Sequence, residues 1–263
     1  MTGTVARAAK EQAEQPNIAT LVHRMGPEIQ RALPRHMDGD RMARLALTIL
    51  RTNPGFGRVN PQSFVGALMT SAALGLEPGV GGESYLVPYG QDCQLIVGYA
   101  GLVKLFYQHP LARHVDAQAV HEADDFDFSY GTEPFLRHKP AVGGDRGDVI
   151  YYYAVATLTT GASAFVVLTP KEVAALRGGK VGSSGNIPDP MRWMERKTAL
   201  RQLLKTLPKS ATLQRALDAD EQPGSRLRAD TVEPPPALDP SPDSDAEAAA
   251  EAAAEAAREA GSD

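Results

Sequence analysis

The sequence predicts an α+β fold: N-terminal helices, a central antiparallel β-sheet with hairpins, C-terminal basic helices and a disordered acidic tail. Three observations carry this prediction. Apolar residues recur at helical spacing before residue 75 and again after residue 190. Between those limits they gather in short β-branched and aromatic runs, and from residue 222 onward they give way to Pro, Ala and Asp/Glu. With 263 residues, 43% of them hydrophobic, the chain can bury one good core in a domain of about 200 residues. The expected organisation is a flexible N-terminus at 1–15, one folded domain at 16–221 and an acidic Pro/Ala-rich tail at 222–263.

The elements follow from local chemistry. Asn17 is placed to cap a helix running to Leu33, Asp38 one running to about Thr52, and Asn60, with Pro61 at the first helical position, a third that Gly75 stops. SYLVPYG and DCQLIVG read as strands paired about Gly90 and Gln91, after which YAGLVKLFYQH returns to helical spacing. VDAQAV, FDFSY, PFLRHK, VIYYYAVATL and SAFVVL form a strand-rich block. Gly131, the GGDRGD loop and Thr160-Gly161 separate them as hairpin-type breaks between antiparallel neighbours. Thr169 followed by Pro170 and, three residues on, Glu172 is a capping box, and RGGKVGSSGN after it is loop chemistry. Asp189-Pro190 then starts a helix through MRWMERKTALRQLLKTLPKS.

Charge is divided unevenly. Residues 1–220 hold 24 Lys+Arg against 21 Asp+Glu, and residues 221–263 hold 3 against 11, so a body of +3 carries a tail of -8. Such asymmetry suggests a polyanionic partner and a charged appendage. The tail ends in alanines with Glu247, Glu251, Glu255 and Glu259 every four residues, a solvated, partly helical extension or a docking or autoinhibitory segment. The single cysteine, Cys93, excludes an intramolecular disulfide framework and reads as a small apolar strand residue. No apolar signal region opens the chain and no window of about 18 apolar residues occurs, so a cytoplasmic protein without membrane association is expected.

The late helix concentrates the cations. On a helical wheel Arg192 and Arg196 share the stripe of Leu200, Leu204 and Leu207, while Lys197, Arg201 and Lys205 form a second, purely basic stripe expected at a solvent-facing edge. Cations near a helix N-terminus oppose its dipole, so acids such as Asp189 and Glu195, or an external anion, should offset them. Supporting bases are Lys104 on the helix after Gly98-Tyr99, Arg137 and Lys139 on one face of a strand, and Arg44 with Arg51. Combined with Tyr99, Tyr107, Tyr151 and Tyr153 they suit a groove that tracks a nucleic-acid strand, cations meeting phosphates and rings meeting bases. Taken singly, each tyrosine also fits ordinary core or sheet packing.

Enzyme readings have less behind them. No G-x-x-x-x-G-K-[ST] loop occurs, no histidine pair has metal-ligand spacing, and no nucleophile has a local base signature. In HEADDFDF, Asp124, Asp125 and Asp127 could hold Mg2+ as in a nuclease, or be solvated acids guarding a hairpin edge. A non-catalytic structural oligomer is the third possibility.

Several segments in order, ALPRHMDGDRMARLALTILRTNP, SFVGALMTSAALGLEPG, YLVPYG, QLIVGYAG, EADDF and RKTALRQLLKTLP, resemble the RecT family of phage-type single-strand annealing proteins, from about Ile29 to Leu217. The resemblance implies sequence-independent binding of single-stranded DNA and of nascent duplex, and annealing of complementary strands in homologous recombination. It implies no ATP requirement and no covalent catalysis, with Mg2+ at most stimulatory. It further implies homo-oligomeric rings or helical filaments and partnership with a 5′-3′ exonuclease or a host single-strand binding protein. Lys197, Thr198, Arg201, Lys205 and Pro208 match the family's basic helix, and Gly98, Tyr99 and Gly101 its GY-x-G turn. Two positions depart from it: Ala100 stands where relatives usually carry Arg or Lys, and Gln202 where many carry a second arginine, so one phosphate contact is either missing or moved to Lys104, one helical turn beyond Ala100. The DNA-binding residues expected are Tyr99, Lys104, Arg137, Lys139, Arg196, Lys197, Arg201 and Lys205.

Overall fold

The computed structural model describes residues 17–35, 37–177 and 191–221. The readings made for the N-terminal segment, RGGKVGSSGN, Asp189-Pro190 and the tail lie outside the described residues. The described chain is α+β, as the sequence predicts, and falls into two compact units, 17–97 with 218–221, and 98–217.

In the first unit come α1 (Ile18–Arg24), α2 (Gly26–Ala32), α3 (Gly39–Thr52), a 3-10 turn (Pro54–Arg58), α4 (Pro61–Ala73) and the antiparallel hairpin β1 (Ser84–Tyr89) and β2 (Asp92–Val97). The three caps are where the sequence puts them: Asn17, Asp38 and Asn60 accept from the amides of Ala19, Asp40 and Gln62 at 3.1, 3.0 and 2.8 Å. The first helix differs from expectation, because it breaks at Met25 before Gly26-Pro27. Pro27 has no N–H to give, and its ring would crowd the carbonyl of His23 in a continuous helix. Beyond α4, Gly75 adopts the left-handed conformation (φ 63°) that ends a helix without Cβ strain. Val22, Ile29, Met42, Phe64 and Leu68 are fully buried between the helices, with the Phe56 and Phe64 rings edge to face at 5.3 Å. Cys93 is buried and its thiol is pushed well above its ordinary pKa by desolvation, which suits an unreactive apolar role.

The second unit holds α5 (Tyr99–Tyr107), β3 (Ala112–His121), β4 (Asp125–Ser129), β5 (Phe135–Lys139), β6 (Val149–Leu158), β7 (Ser163–Leu168), α6 (Pro170–Arg177), α7 (Trp193–Thr206) and α8 (Ala211–Glu221), whose last residues belong to the first unit. Its sheet is antiparallel in the order β3-β6-β7, and β4-β5 is a separate hairpin. The GGDRGD loop therefore does not join paired neighbours as expected, since β3 and β7 occupy both edges of β6. The capping box holds: Glu172 Oε2 accepts from the Thr169 amide at 2.8 Å and from its hydroxyl at 2.7 Å.

Register sorts the side chains of this sheet. Ala117 pairs with Ala154 and Val115 with Ala156, so Val115, Ala117, Tyr152, Ala154 and Ala156 share one buried face, against which α7 packs with Leu200, Leu203 and Leu204. The opposite face carries Tyr151, Tyr153 and Phe165. Phe126 of the hairpin lies 5.7 Å from both tyrosine rings, and Tyr130 stacks on Phe165 at 4.9 Å. Free sheet edges are blunted by tyrosine hydroxyls, Tyr107 Oη accepting from the Val115 amide at 3.4 Å on β3 and Tyr130 Oη from the Val167 amide at 3.0 Å on β7. Among the described residues no helix is long and apolar enough to cross a membrane.

Candidate nucleic-acid interface

The basic helix α7 runs from interior to surface. It is entered through Arg192, which has φ 54° and ψ 43°, the one positive-φ residue other than glycine among those described. Arg196 follows its leucine stripe inward and is 4% exposed. Its Nε donates to the Ala117 carbonyl on the outer edge of β3 at 2.6 Å, and its guanidinium lies over the Trp193 ring at 4.2 Å and the Tyr99 ring at 5.7 Å. Asp116 Oδ1 is 4.0 Å from Nη2. The Ala117 amide hydrogen-bonds the Tyr99 hydroxyl. Tyr99 and Arg196 thus close both polar groups of one edge residue, and burial raises the Tyr99 pKa so that the hydroxyl stays neutral.

The expected solvent-facing basic stripe proves to be graded. Lys197 is 6% exposed, Arg201 is half-buried and Lys205 is exposed. The leucine face is broad enough to draw the first turn of the stripe inside, where Thr198 also turns its hydroxyl onto the Met194 carbonyl at 3.0 Å. Glu195 does not offset Arg196 as expected; it accepts from Arg177 Nη1 at 3.1 Å and ties α7 to α6. Lys104 is half-buried on α5, which packs against α7. Lys104, Lys197, Arg201 and Lys205 all make interactions within the protein. Of the two departures, Ala100 is half-buried in the first turn of α5, and the Nε2 of Gln202 is buried with no hydrogen-bond partner among the described residues.

Arg137 and Lys139 do share one exposed face of β5, as the period of two predicts. That face belongs to the β4-β5 hairpin, which covers the side of the sheet opposite α7. Directly across the strands stand Asp127 and Asp125. The eight expected residues are therefore not gathered in one furrow: Tyr99 and Arg196 meet inside, Lys104 sits on α5 and Lys197, Arg201 and Lys205 on α7, two helices that pack on each other, and the β5 pair lies beyond the sheet.

The acidic cluster does not converge either. Asp125 and Asp127 point outward, whereas the Asp124 side chain is fully buried and accepts from five donors. These are Arg146 Nε at 2.9 Å and Nη2 at 2.5 Å, the amides of His121 at 2.8 Å and Ala141 at 2.9 Å, and His138 Nε2 at 3.1 Å. The Arg146 guanidinium above all holds its carboxyl far below the usual range. With Nε2 of His138 donating, Nδ1 accepts from the Tyr153 hydroxyl at 3.2 Å, and burial pushes the pKa of that hydroxyl up to about 12. This carboxylate fastens the hairpin to the sheet and has no lone pair left to give a cation. Among the described residues no group of three or more His, Cys, Asp or Glu side chains is placed to hold a metal ion.

Sequence reasoning passed over Trp193, Tyr130 and Arg146. The signal for Trp193 was present: three residues before Arg196 on a helix, it has to share that arginine's face. Arg146 gave none, because its partner lies 22 residues away across a hairpin.

An α+β domain whose late helix strings Arg196, Lys197, Arg201 and Lys205 along one element backed by an antiparallel sheet has the make-up of a module that handles nucleic acid. Residues 40–235 match the model of the RecT family, and a 208-residue stretch is 38% identical to Protein RecT of Escherichia coli (strain K12), covering 75% of this chain and 77% of that protein. The chain belongs to the RecT family. Its role is accordingly in DNA recombination, as a DNA-binding protein of the strand-annealing kind.

Proposed function

We propose that the protein binds single-stranded DNA irrespective of sequence and anneals complementary strands without ATP. The observation that carries this is the graded stripe of α7, in which buried Arg196 and Lys197 are followed by half-buried Arg201 and exposed Lys205 on a helix packed against α5, the helix that carries Lys104. Cations on a rigid element bind sugar-phosphate and leave base edges free for a second strand. Base pairing then supplies the driving force, about 1.4 kcal/mol per stacked step, so a short matched run outweighs the protein-backbone contacts and a mismatch stops growth. ATP has no part because the sequence offers no glycine-rich phosphate cradle. Mg2+ stimulates at most, by screening the two strands. Copies of the chain extend the track as a ring or helical filament in the cytoplasm, supplied with single strands by a 5′-3′ exonuclease and working beside the host single-strand binding protein.

The test is an oligonucleotide annealing and binding assay across a salt series, with and without ATP and EDTA. Single strands release counterions with a slope of about -0.7 per phosphate contact, so Arg201→Ala with Lys205→Ala should flatten the log-log slope by about 1.4 and slow annealing. Because Arg201 is half-buried, Lys205→Ala alone serves as the variant that leaves melting unchanged, and it should flatten the slope by about 0.7. Salt-independent binding, or an unaltered slope in both variants, would refute the α7 surface as the phosphate contact.

A further inference from the structure

The outer face of the β4-β5 hairpin carries a charge ladder that the annealing surface does not use. Lys139 stands directly across from Asp125 and Arg137 from Asp127, all four exposed. At the next register the Phe135 ring is 38% exposed, with the Arg137 guanidinium 5.5 Å from its centroid. Neighbouring strands lie about 4.8 Å apart, so a positive stripe on β5 and a negative stripe on β4 run side by side and sum to zero. A phosphate chain laid on this face meets as much repulsion as attraction, which sets it apart from α7. A surface with the same two stripes does not. Turn a second copy over about a two-fold axis parallel to the strands, and its positive stripe lies over the first copy's negative one. Asp125 then meets the partner copy's Lys139 and Asp127 its Arg137, twice each.

We propose that this face is a two-fold contact between two copies of the chain, built on the Asp125, Asp127, Arg137 and Lys139 ladder with Phe135 at its end. The inference rests on the reading that copies associate, and it adds a pairing contact distinct from whatever contact extends the track. A contact with identical patches on both sides is isologous, so it pairs copies rather than extending a ring or filament. Each paired copy carries its own α7, on the far side of the sheet from the ladder, and so its own strand. The face is only about five residues long on each strand, far below the roughly 800 Å2 per partner of a stable complex, so the pairing is weak and salt-sensitive.

Two variants test it, in sedimentation runs without DNA. Asp125→Lys with Asp127→Lys makes the face wholly positive; Arg137→Glu with Lys139→Glu makes it wholly negative. Each alone should lose at least tenfold in concentration-dependent association, and an equimolar mixture should recover it, with the recovery vanishing at high salt. A four-fold exchange that swaps the two stripes restores the ladder and should associate like the wild type, which controls for damage to the hairpin. Unchanged association of either variant, or a mixture no better than its parts, overturns the proposal. So does a negative-face variant that loses DNA affinity while associating normally, since β5 would then contact DNA. A wild type that stays monomeric at all concentrations sinks the oligomer reading itself, a different failure from a wild type that associates independently of these four charges.

Discussion

Arg196→Ala should unfold the second unit more readily rather than simply weaken DNA binding. The truncation removes the hydrogen bond to the Ala117 carbonyl, empties the slot between Trp193 and Tyr99 and leaves an edge carbonyl of β3 unsatisfied. Deleting a buried side chain of this size costs a few kcal/mol through cavity and lost contacts, and a buried carbonyl without a partner adds about 1 to 3. Asp116 offsets little of this, because its side chain is 34% exposed and water solvates it once the arginine is gone. A net loss of about 3 to 4 kcal/mol corresponds to a fall in Tm of roughly 6 to 16 °C for a domain of this size. Arg196→Met keeps the aliphatic stem and should lose less than half as much, since the packing survives while the hydrogen bond does not. The check is thermal melting of both variants beside DNA titrations at a temperature where each is folded. An alanine variant with unchanged melting and lost DNA affinity would show that this guanidinium serves the nucleic acid rather than the sheet edge.

What was legible in the sequence was whatever is settled within a few residues. Asn17, Asp38, Asn60 and the Thr169–Glu172 box cap their helices because a side chain and an amide two or three positions apart decide the matter. Arg137 and Lys139 share a face because strands alternate. Long-range partners decided the rest. The pairing of β3 with β6 brings Ala117 to Ala154 across an inserted hairpin, and nothing in either segment excludes the nearer β5 as partner. The wheel of α7 put Arg196 among leucines, which was correct; that it caps a strand edge depends on a carbonyl 79 residues away. Lys197 lay on a stripe of cations and reads as solvent-facing until the breadth of the buried face is known. The ladder of Asp125 and Asp127 against Lys139 and Arg137 needs the hairpin register, which the spacing of either strand alone does not supply. The candidate site was thus legible as a helix and as a charge type, and its division into anchoring and presenting cations was not.

Asp124→Asn should release the β4-β5 hairpin from the sheet, and the effect should disappear in acid. The carboxylate accepts five hydrogen bonds; an amide there has one oxygen to accept with and turns an NH2 group toward donors of Arg146, His121 or Ala141. Breaking a buried ion pair costs about 3 to 5 kcal/mol, and the lower end applies because the Arg146 side chain is 34% exposed and its stranded charge can reach water. The pH dependence has a definite sign. The Asp124 carboxyl is held in the folded protein far below its unfolded value of about 3.9, so its contribution is complete above about pH 5 and drains away as pH falls through 4 and below. Wild type and variant should therefore differ in Tm by roughly 6 to 12 °C at neutral pH and draw together below pH 3. A difference constant across that range would mean that the variant suffers from lost shape rather than lost charge. Hydrogen exchange locates the damage: faster exchange at the amides of β4 and β5, with those of β6 unchanged, is the expected pattern, because β6 is held by β3 and β7 on both sides. The same variant bears on the pairing of copies, since Asp125 and Asp127 sit on the strand that Asp124 fastens. A hairpin freed at its base presents the ladder in no fixed register, so copy-to-copy association should weaken at neutral pH even though every charge on the outer face is intact.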